Sequence, residues 1–482
     1  MAQPEQTGEH DEDATEAFPP VEEAIARLVV ELTYERIPAD ALEGVRRLME
    51  DQLALQVGCV PLPWNRAVLA LTRASHAPGR SHVTMAGDET FSAADAAFVN
   101  ATYGHSFEYD DAHEESFSHP GSCVVSAAIA IGEELGSTME EVVTGLVAGY
   151  EVYTRIGILI GRDMLSRGFH PHAQLSNFGA AAVAAKMRGL DVAQTLDALS
   201  IAMSHASGTT EYTSGGGSVK RVHAGIGTRN GIRSAEMAAA GITGPPAFLT
   251  GSKGWASTFI QRRLDASDAG IFALDRPFEI TKVCIKSYCC CFLNHAYILG
   301  AKQLQDRTDD IASVLLRIQP ANDVVVGNRN AHAFAPTRLD HLQYSLPFQF
   351  SLALLGHGNG FSTHHRYFEG GLDIGPSSDV AQLAQRITIE PDAALDAANP
   401  GKFVADITVT HDDGARRHVF VGSAPGTADS PTSPEDLEEK FRDLTTASLG
   451  ADGADALLAA ILELDPAQPV AGFAALLQGP RG

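Results

Sequence analysis

The sequence predicts a two-domain protein, a large all-α helical domain plus a smaller α+β lid domain. Three observations carry this. The chain has 482 residues, too many for one ordinary core. From Val21 to about Gly270 apolar residues recur at helical spacing. After "KGWASTFI" short runs of β-branched or alternating character take over.

Residues 1–18 are acidic, lack a hydrophobic signal core, and read as a disordered tail. Residues 19–275 form the helical domain: "VEEAIARLVVEL", "ALEGVRRLMEDQLALQVG", "SAADAAFVNATYGHS", "VVSAAIAIGEELG", "MEEVVTGLVAGYEVYTRIG" and "NFGAAAVAAKMRG" each carry an apolar stripe. Several are rich in Ala and Gly, which permits close helix approach. Residues 276–422 form the lid: "KVCIKSY", "SVLLRIQ", "QRITIE" and "FVADITVTHDDGARRHVFVG" read as strands, and Asp413-Gly414 marks a hairpin. "FLNHAYILGAKQLQ" and "DHLQYSLPFQFSLALLGHG" are helical. Residues 423–482 are a Pro/Ser/Thr-rich linker and C-terminal helices that return to the helical domain, with Ser433 as N-cap, Pro434 as first helical residue and Asp436 as capping partner.

Composition excludes several functions. A net charge of −25 argues against nucleic acid or an anionic membrane as partner, since both need a basic face. The longest apolar stretches, such as "VVSAAIAIG", fall short of a membrane span. Six cysteines, clustered as Cys284, Cys289, Cys290 and Cys291 beside Cys59 and Cys123, fit a reducing cytoplasm better than a disulfide framework.

Four stretches could carry chemistry. "FEYDDAHEESFSHPGS" (107–122) holds five carboxylates and two histidines with no lysine or arginine, the pattern of a loop that holds ionisable groups rather than a solvated helix face. Its candidates are Glu108, Asp110, Asp111, His113 and His119, with Asp110 or Asp111 as alternative caps of the next helix. "RGFHPHAQLSNFGA" sets His170 between a Phe and a Pro, where a stiff backbone holds an imidazole suited to acid–base work; His172 reads as incidental. "EYTSGGGSVKRVHAGIGTRNG" puts Lys220, Arg221 and His223 behind three glycines, and lacks the Walker ending and the dinucleotide spacing. "IKSYCCCFLNHAY" offers Lys286 and Cys290 as substrate contacts; adjacent cysteines with no second Cys-x-x-Cys pair do not make a metal site. Two cation clusters and two histidine loops without a cofactor motif point to an enzyme for a small anionic carboxylate substrate, working by proton transfer with no metal and no cofactor.

In that order, "YDDAH…SHPGS", "GYEVYTRIG", "RGFHPHA…FGAAAVAAKMRGL", "ASGTTEY…GGGSVKRVHAG" and "YSLPFQFSLALLGHG" resemble the motifs of the MmgE/PrpD family. That family includes 2-methylcitrate dehydratases, cis-aconitate decarboxylases and an iminodisuccinate epimerase. Within it, Glu108, the step from Glu108 to His119, "GGSVKRV…RNG" and "KSYCC" are most similar to the fungal cis-aconitate decarboxylase branch. Ala112, Cys290 and Phe348 depart from residues common elsewhere in the family.

The resemblance implies a substrate cleft between a helical domain and a lid, no required metal, and a homodimer. It places His119, His170, Lys220, His223 and Lys286 among substrate-binding and proton-transferring groups, with Glu108 and Asp110 beside them. The expected activity is a cofactor-independent lyase that decarboxylates or dehydrates a di- or tricarboxylate. The alternatives are an epimerase of a dicarboxylate and a noncatalytic carboxylate-binding protein. The loop 107–122 is expected to fold over the cleft entrance, and its acids to raise the pKa of a neighbouring imidazole.

Overall fold

The computed structural model describes residues 18–75 and 77–479, so the tail expectation falls almost wholly outside the described residues. The large domain is built from helices α1 (Pro20–Glu31), α2 (Ala39–Cys59), α3 (Pro63–Ser75), α4 (Ala93–Gly104), α5 (Gly121–Leu135), α6 (Met139–Ser166), α7 (Pro171–Met187), α8 (Val192–Met203) and α9 (Val219–Ala239). The smaller domain follows, with α10 (His295–Lys302) and α11 (Leu346–Leu354) against a four-stranded sheet of β1 (Ile311–Ile318), β2 (Ile387–Pro391), β3 (Ala405–His411) and β4 (Arg416–Val421). The order across the sheet is β2-β1-β3-β4; β1 and β2 are parallel and the other pairs antiparallel. This is the large helical domain and smaller α+β domain that the sequence predicts.

Local chemistry sets the helix boundaries near the site. Thr138 and Glu141 form a reciprocal capping box at the start of α6. Pro171 opens α7 as its first residue, which leaves His170 at the N-cap with an extended backbone. Close helix approach depends on glycine where α9 crosses its neighbours. A Cβ on Gly225 would meet the Phe98 carbonyl of α4 at 2.3 Å, and one on Gly231 would meet the Asn177 carbonyl of α7 at 2.5 Å. These two contacts bring α9 against both helices whose ends carry histidines.

Three sequence expectations are corrected. First, "KVCIKSY" is not a strand: it crosses between the domains and pairs only through a single bridge, Cys284 to Ala112. Its β-branched residues both pack on the large domain, Ile285 within its core and Val283 against it. Second, α6 is long and apolar enough to cross a membrane by length and composition, but 89% of its most apolar window is buried inside the fold, where it serves as a core helix. Third, loop 107–122 does not cover an entrance. Phe107, Tyr109, Asp110, Asp111, His113, Ser116 and Ser118 are all buried. Apart from the exposed Glu114 and Glu115 at its tip, the loop is threaded through the interior because its backbone is paired there: Ala112 exchanges hydrogen bonds with Cys284, and Gln343 donates to the Phe107 carbonyl at 2.8 Å.

The C-terminal segment closes the structure. Ser433 accepts from the Asp436 amide at 3.0 Å, so Ser433 and Pro434 start the last long helix, α12 (Pro434–Glu463), as the sequence predicts. The two predicted terminal helices are both present within this span and meet at a kink at Gly450, whose φ of 73° and ψ of 170° are non-helical. Lys440 of α12 is buried, ion-paired with Asp51 of α2, and donates to the carbonyls of Tyr109 at 2.7 Å and Lys286 at 2.9 Å. Its ammonium also lies 3.9 Å from the centre of the Tyr109 ring. One cation therefore ties the C-terminus to the buried loop and to the interdomain crossing.

Removing one partner of a buried ion pair strands the other in low dielectric. Lys440→Met is expected to cost roughly 3–5 kcal/mol of unfolding free energy in urea titrations. The Asp51→Asn/Lys440→Met double variant should recover part of that loss, and equal stability of wild type and Lys440→Met would show that the pair does not bind the segments together.

Candidate active site

Helix ends converge on one place. His105 follows the last turn of α4, His119 lies just before α5, His170 caps α7, His172 sits in its first turn, and His223 lies in the second turn of α9. Their rings form a single cluster. Centroids lie 4.3 Å apart for His105 and His172, 5.1 Å for His170 and His223, 5.6 Å for His105 and His119, and 6.1 Å for His105 and His170. Of the five, only His119 keeps appreciable solvent contact, with 21% of its side chain exposed.

Each imidazole has a defined partner. His105 Nδ1 bonds Asp110 at 2.6 Å. His119 Nδ1 donates to the Asp111 carbonyl at 2.6 Å, which leaves Nε2 as the free, basic nitrogen. His170 and His223 face each other through their Nδ1 atoms at 2.9 Å, so one donates to the other and the pair shares a hydrogen. His172 is held by the Tyr153 hydroxyl at 2.7 Å and Ser122 at 3.2 Å.

Beside the histidines stands a bridge of charges. Glu108 contacts Lys220 through Oε2 and accepts from Lys286 through Oε1 at 3.1 Å; Lys286 also donates to the Glu108 carbonyl at 3.1 Å. The Tyr344 hydroxyl lies 3.4 Å from Lys220.

The remaining loop residues have structural work. Asp111 accepts from the Gly121 amide at 3.0 Å and the Tyr150 hydroxyl at 3.1 Å, so it is the residue that caps α5. His113 pairs with Glu279 at 3.4 Å, away from the cluster.

The structure thus gathers His119, His170, His223, Lys220, Lys286, Glu108 and Asp110. Arg221 is directed elsewhere: it donates to the Ser106 carbonyl at 3.0 Å and lies 4.4 Å from the Trp64 ring, bracing the loop from outside. Cys290 is fully buried in the apolar core of the smaller domain. The half-buried thiol is its neighbour Cys291.

Sequence reasoning missed His105 and read His172 as incidental. The signal for His105 was its place at the end of a helix five residues before Asp110. His172 carried no comparable signal, because its partners Tyr153 and Ser122 lie on other helices.

Electrostatics divide the site in two. Burial pushes His119 down to about 4; Asp110 opposes this without reversing it, and Lys286 and His105 add to the lowering. Burial likewise lowers His223 to about 4 and His170 well below the usual histidine range, with His105 and Lys220 contributing to both. The expectation that loop acids raise His119 is therefore corrected: desolvation outweighs the nearby carboxylate.

The bridge behaves in the opposite way. Burial would raise Glu108, but Lys220 and Lys286 hold its carboxylate well below the ordinary range. Burial would lower Lys286, but Glu108 and Asp110 push it above the usual lysine value. The site pairs His119, His170 and His223, which burial keeps neutral, with a bridge whose members hold one another charged. Among the described residues no group of three or more His, Cys, Asp or Glu side chains is arranged to hold a metal ion.

Comparison with known proteins places these elements in context. Residues 23–266 match the MmgE/PrpD N-terminal domain and residues 288–465 the MmgE/PrpD C-terminal domain. The chain is 30% identical over 296 residues to a cis-aconitate decarboxylase of Aspergillus terreus, an alignment that spans 58% of this chain and 59% of that protein. It is 25% identical over 473 residues to a cis-aconitate decarboxylase-like protein of Aspergillus oryzae, covering 94% and 96% of the two chains. With the human cis-aconitate decarboxylase it shares 26% identity over 411 residues, covering 80% and 79%.

The buried histidines give stability a pH dependence of known sign. A histidine depressed from 6.5 to about 4 in the folded state stabilises the protein fully above its unfolded pKa, and that contribution is lost as pH falls from 6.5 toward 4. Between pH 7 and pH 5, His119→Asn should lose about 2 kcal/mol less unfolding free energy than wild type, measured by denaturant titration at each pH. Parallel losses in the two proteins would mean that His119 is not held neutral.

Proposed function

The chain belongs to the MmgE/PrpD family, and from that premise we propose that it is a cofactor-independent lyase that decarboxylates a cis-aconitate-like tricarboxylate by histidine acid–base chemistry. The observation that carries the reading is the juxtaposition of neutral His119, His170 and His223 with the Lys220–Glu108–Lys286 bridge in one largely buried interdomain site. Charge recognition and proton transfer are thereby held on separate groups, and a polycarboxylate needs both. The names of the relatives point to the same substrate class.

In this mechanism Lys220, beside Tyr344, receives a substrate carboxylate, and Lys286 supplies positive charge from behind Glu108. The bound anion changes the histidines. Its charges stabilise an imidazolium that the empty site disfavours, so a proton enters with the substrate. As the carbon–carbon bond to one carboxylate breaks, its electron pair shifts through the substrate double bond. A histidine then delivers its proton to the carbon that receives the pair. The trianion and one proton become a C5 dicarboxylate and carbon dioxide, so charge and atoms balance. His119, with Nε2 free and the greatest solvent contact, is suited to take up the proton; the His170–His223 pair is suited to hand it on. His105, aligned by Asp110, orients the cluster from within.

A panel of cis-aconitate, citrate, 2-methylcitrate and iminodisuccinate followed by NMR in deuterated water tests the reading. Loss of carbon dioxide from cis-aconitate with one deuterium in the product is expected. Loss of water from a citrate would make the enzyme a dehydratase, and deuterium uptake without loss of mass would make it an epimerase. EDTA should leave the rate unchanged. Lys220→Ala should keep the fold and lower kcat/KM by about 2–4 kcal/mol. His119→Ala and His170→Ala should each lower kcat more than they raise KM, and the double variant should cost much less than the sum. Additive losses would mean that the two histidines do not act as one unit.

A further inference from the structure

The Lys220–Glu108–Lys286 bridge has a feature that carboxylate binding alone does not require. A site built only to receive a substrate carboxylate would leave its lysines open to it. Here Glu108 holds both: Oε2 contacts Lys220 and Oε1 accepts from Lys286 at 3.1 Å.

The two lysines are not equivalent. Lys286 is sequestered, with 2% of its side chain exposed, a second bond to the Glu108 carbonyl, and its own carbonyl fixed by Lys440. Lys220 stands at the margin of the site with 13% exposure, a hydroxyl of Tyr344 at 3.4 Å and the Tyr212 ring centre at 6.0 Å. Only Lys220 can exchange its partner without dismantling the domain junction.

The backbone supports a dedicated role for this side chain. Glu108 has a φ of 59°, the left-handed region that a residue with a Cβ adopts at a cost. The next residues are pinned in the core, so this conformation aims the carboxylate at the lysines rather than along the loop.

We propose that Glu108 is a built-in competitor for the carboxylate receptor, and that it sets a binding threshold that polycarboxylates clear and monocarboxylates do not. A monocarboxylate that takes the place of Glu108 on Lys220 exchanges one charge-assisted bond for another and gains nothing. A ligand with two or three carboxylates makes the same exchange and brings further anchors to the site, so it alone shows net binding. While the site is empty, Glu108 keeps both buried ammonium groups compensated. This inference rests on the reading of the site as a carboxylate receptor, and it concerns binding rather than the reaction.

The test is calorimetry with two unreactive probes, crotonate and tricarballylate. Wild type should bind tricarballylate and show no measurable affinity for crotonate. Glu108→Gln keeps the shape and removes the competing charge from the exchange that both ligands make, so both should bind about tenfold or more tighter, which brings crotonate into the measurable range. A Glu108→Gln protein that binds either probe no more tightly than wild type overturns the proposal, as does failure of tricarballylate to bind either protein. If Glu108→Gln does not fold, a crystal structure of wild type with tricarballylate decides: a broken Glu108–Lys220 contact supports displacement, and an intact contact with the ligand elsewhere overturns it. The two readings fail separately. The predicted gain in affinity with no turnover of any polycarboxylate would sink the lyase and leave the competitor standing. Turnover with unchanged affinities would do the reverse.

Discussion

Placing an acid-rich loop in the interior is the constraint on which the rest of this structure depends. A carboxylate taken out of water must find a cation, a backbone amide or a proton, or the fold does not hold. Asp110 is met by His105, Asp111 by the Gly121 amide and Tyr150, and Glu108 by Lys220 and Lys286. These partners come from α4, α5, α6, α9 and the crossing between the domains. Satisfying one loop therefore fixes the relative position of most of the elements that make the site.

The same constraint explains how distant segments become functional neighbours. Lys440 lies more than three hundred positions from Tyr109, yet it holds that carbonyl and the carbonyl of Lys286 at once. α9 delivers Lys220 and His223 only because Gly225 and Gly231 let it sit directly on α4 and α7. Packing, capping and ion pairing thus converge on the cluster, and the histidines inherit a dry environment as a by-product of the fold's own accounting of charge. That environment is what lowers them.

Much of the architecture was legible because it is local. The three- and four-residue stripes from Val21 to Gly270, the Asp413-Gly414 hairpin and the Ser433 cap are properties of short windows, and each reports on its own element. The ionisable residues of the site were legible in kind, since acids without bases in a loop mark something other than a solvated face. Their states were not legible, because the desolvation that brings His119 to about 4 is set by residues remote in sequence. For the same reason "KVCIKSY" resembled a strand while serving as a crossing, and Cys290 resembled a contact residue while packing into a core. His105 escaped notice and His172 was read as incidental because a lone histidine next to small residues is usual in ordinary helices; only their shared cluster distinguishes them.

The central claim is that the histidines are neutral in the empty site and that a polycarboxylate brings the proton with it. Nitrogen-15 NMR of protein labelled at the imidazole nitrogens reads this directly, because neutral tautomers and imidazolium differ widely in shift. At pH 6 without ligand, His119, His170 and His223 should all show neutral signatures, and saturating tricarballylate should convert at least one of the three to the charged form. Imidazolium signals from these residues in the ligand-free protein at pH 6, or neutral signals that persist when the site is filled, would contradict the account.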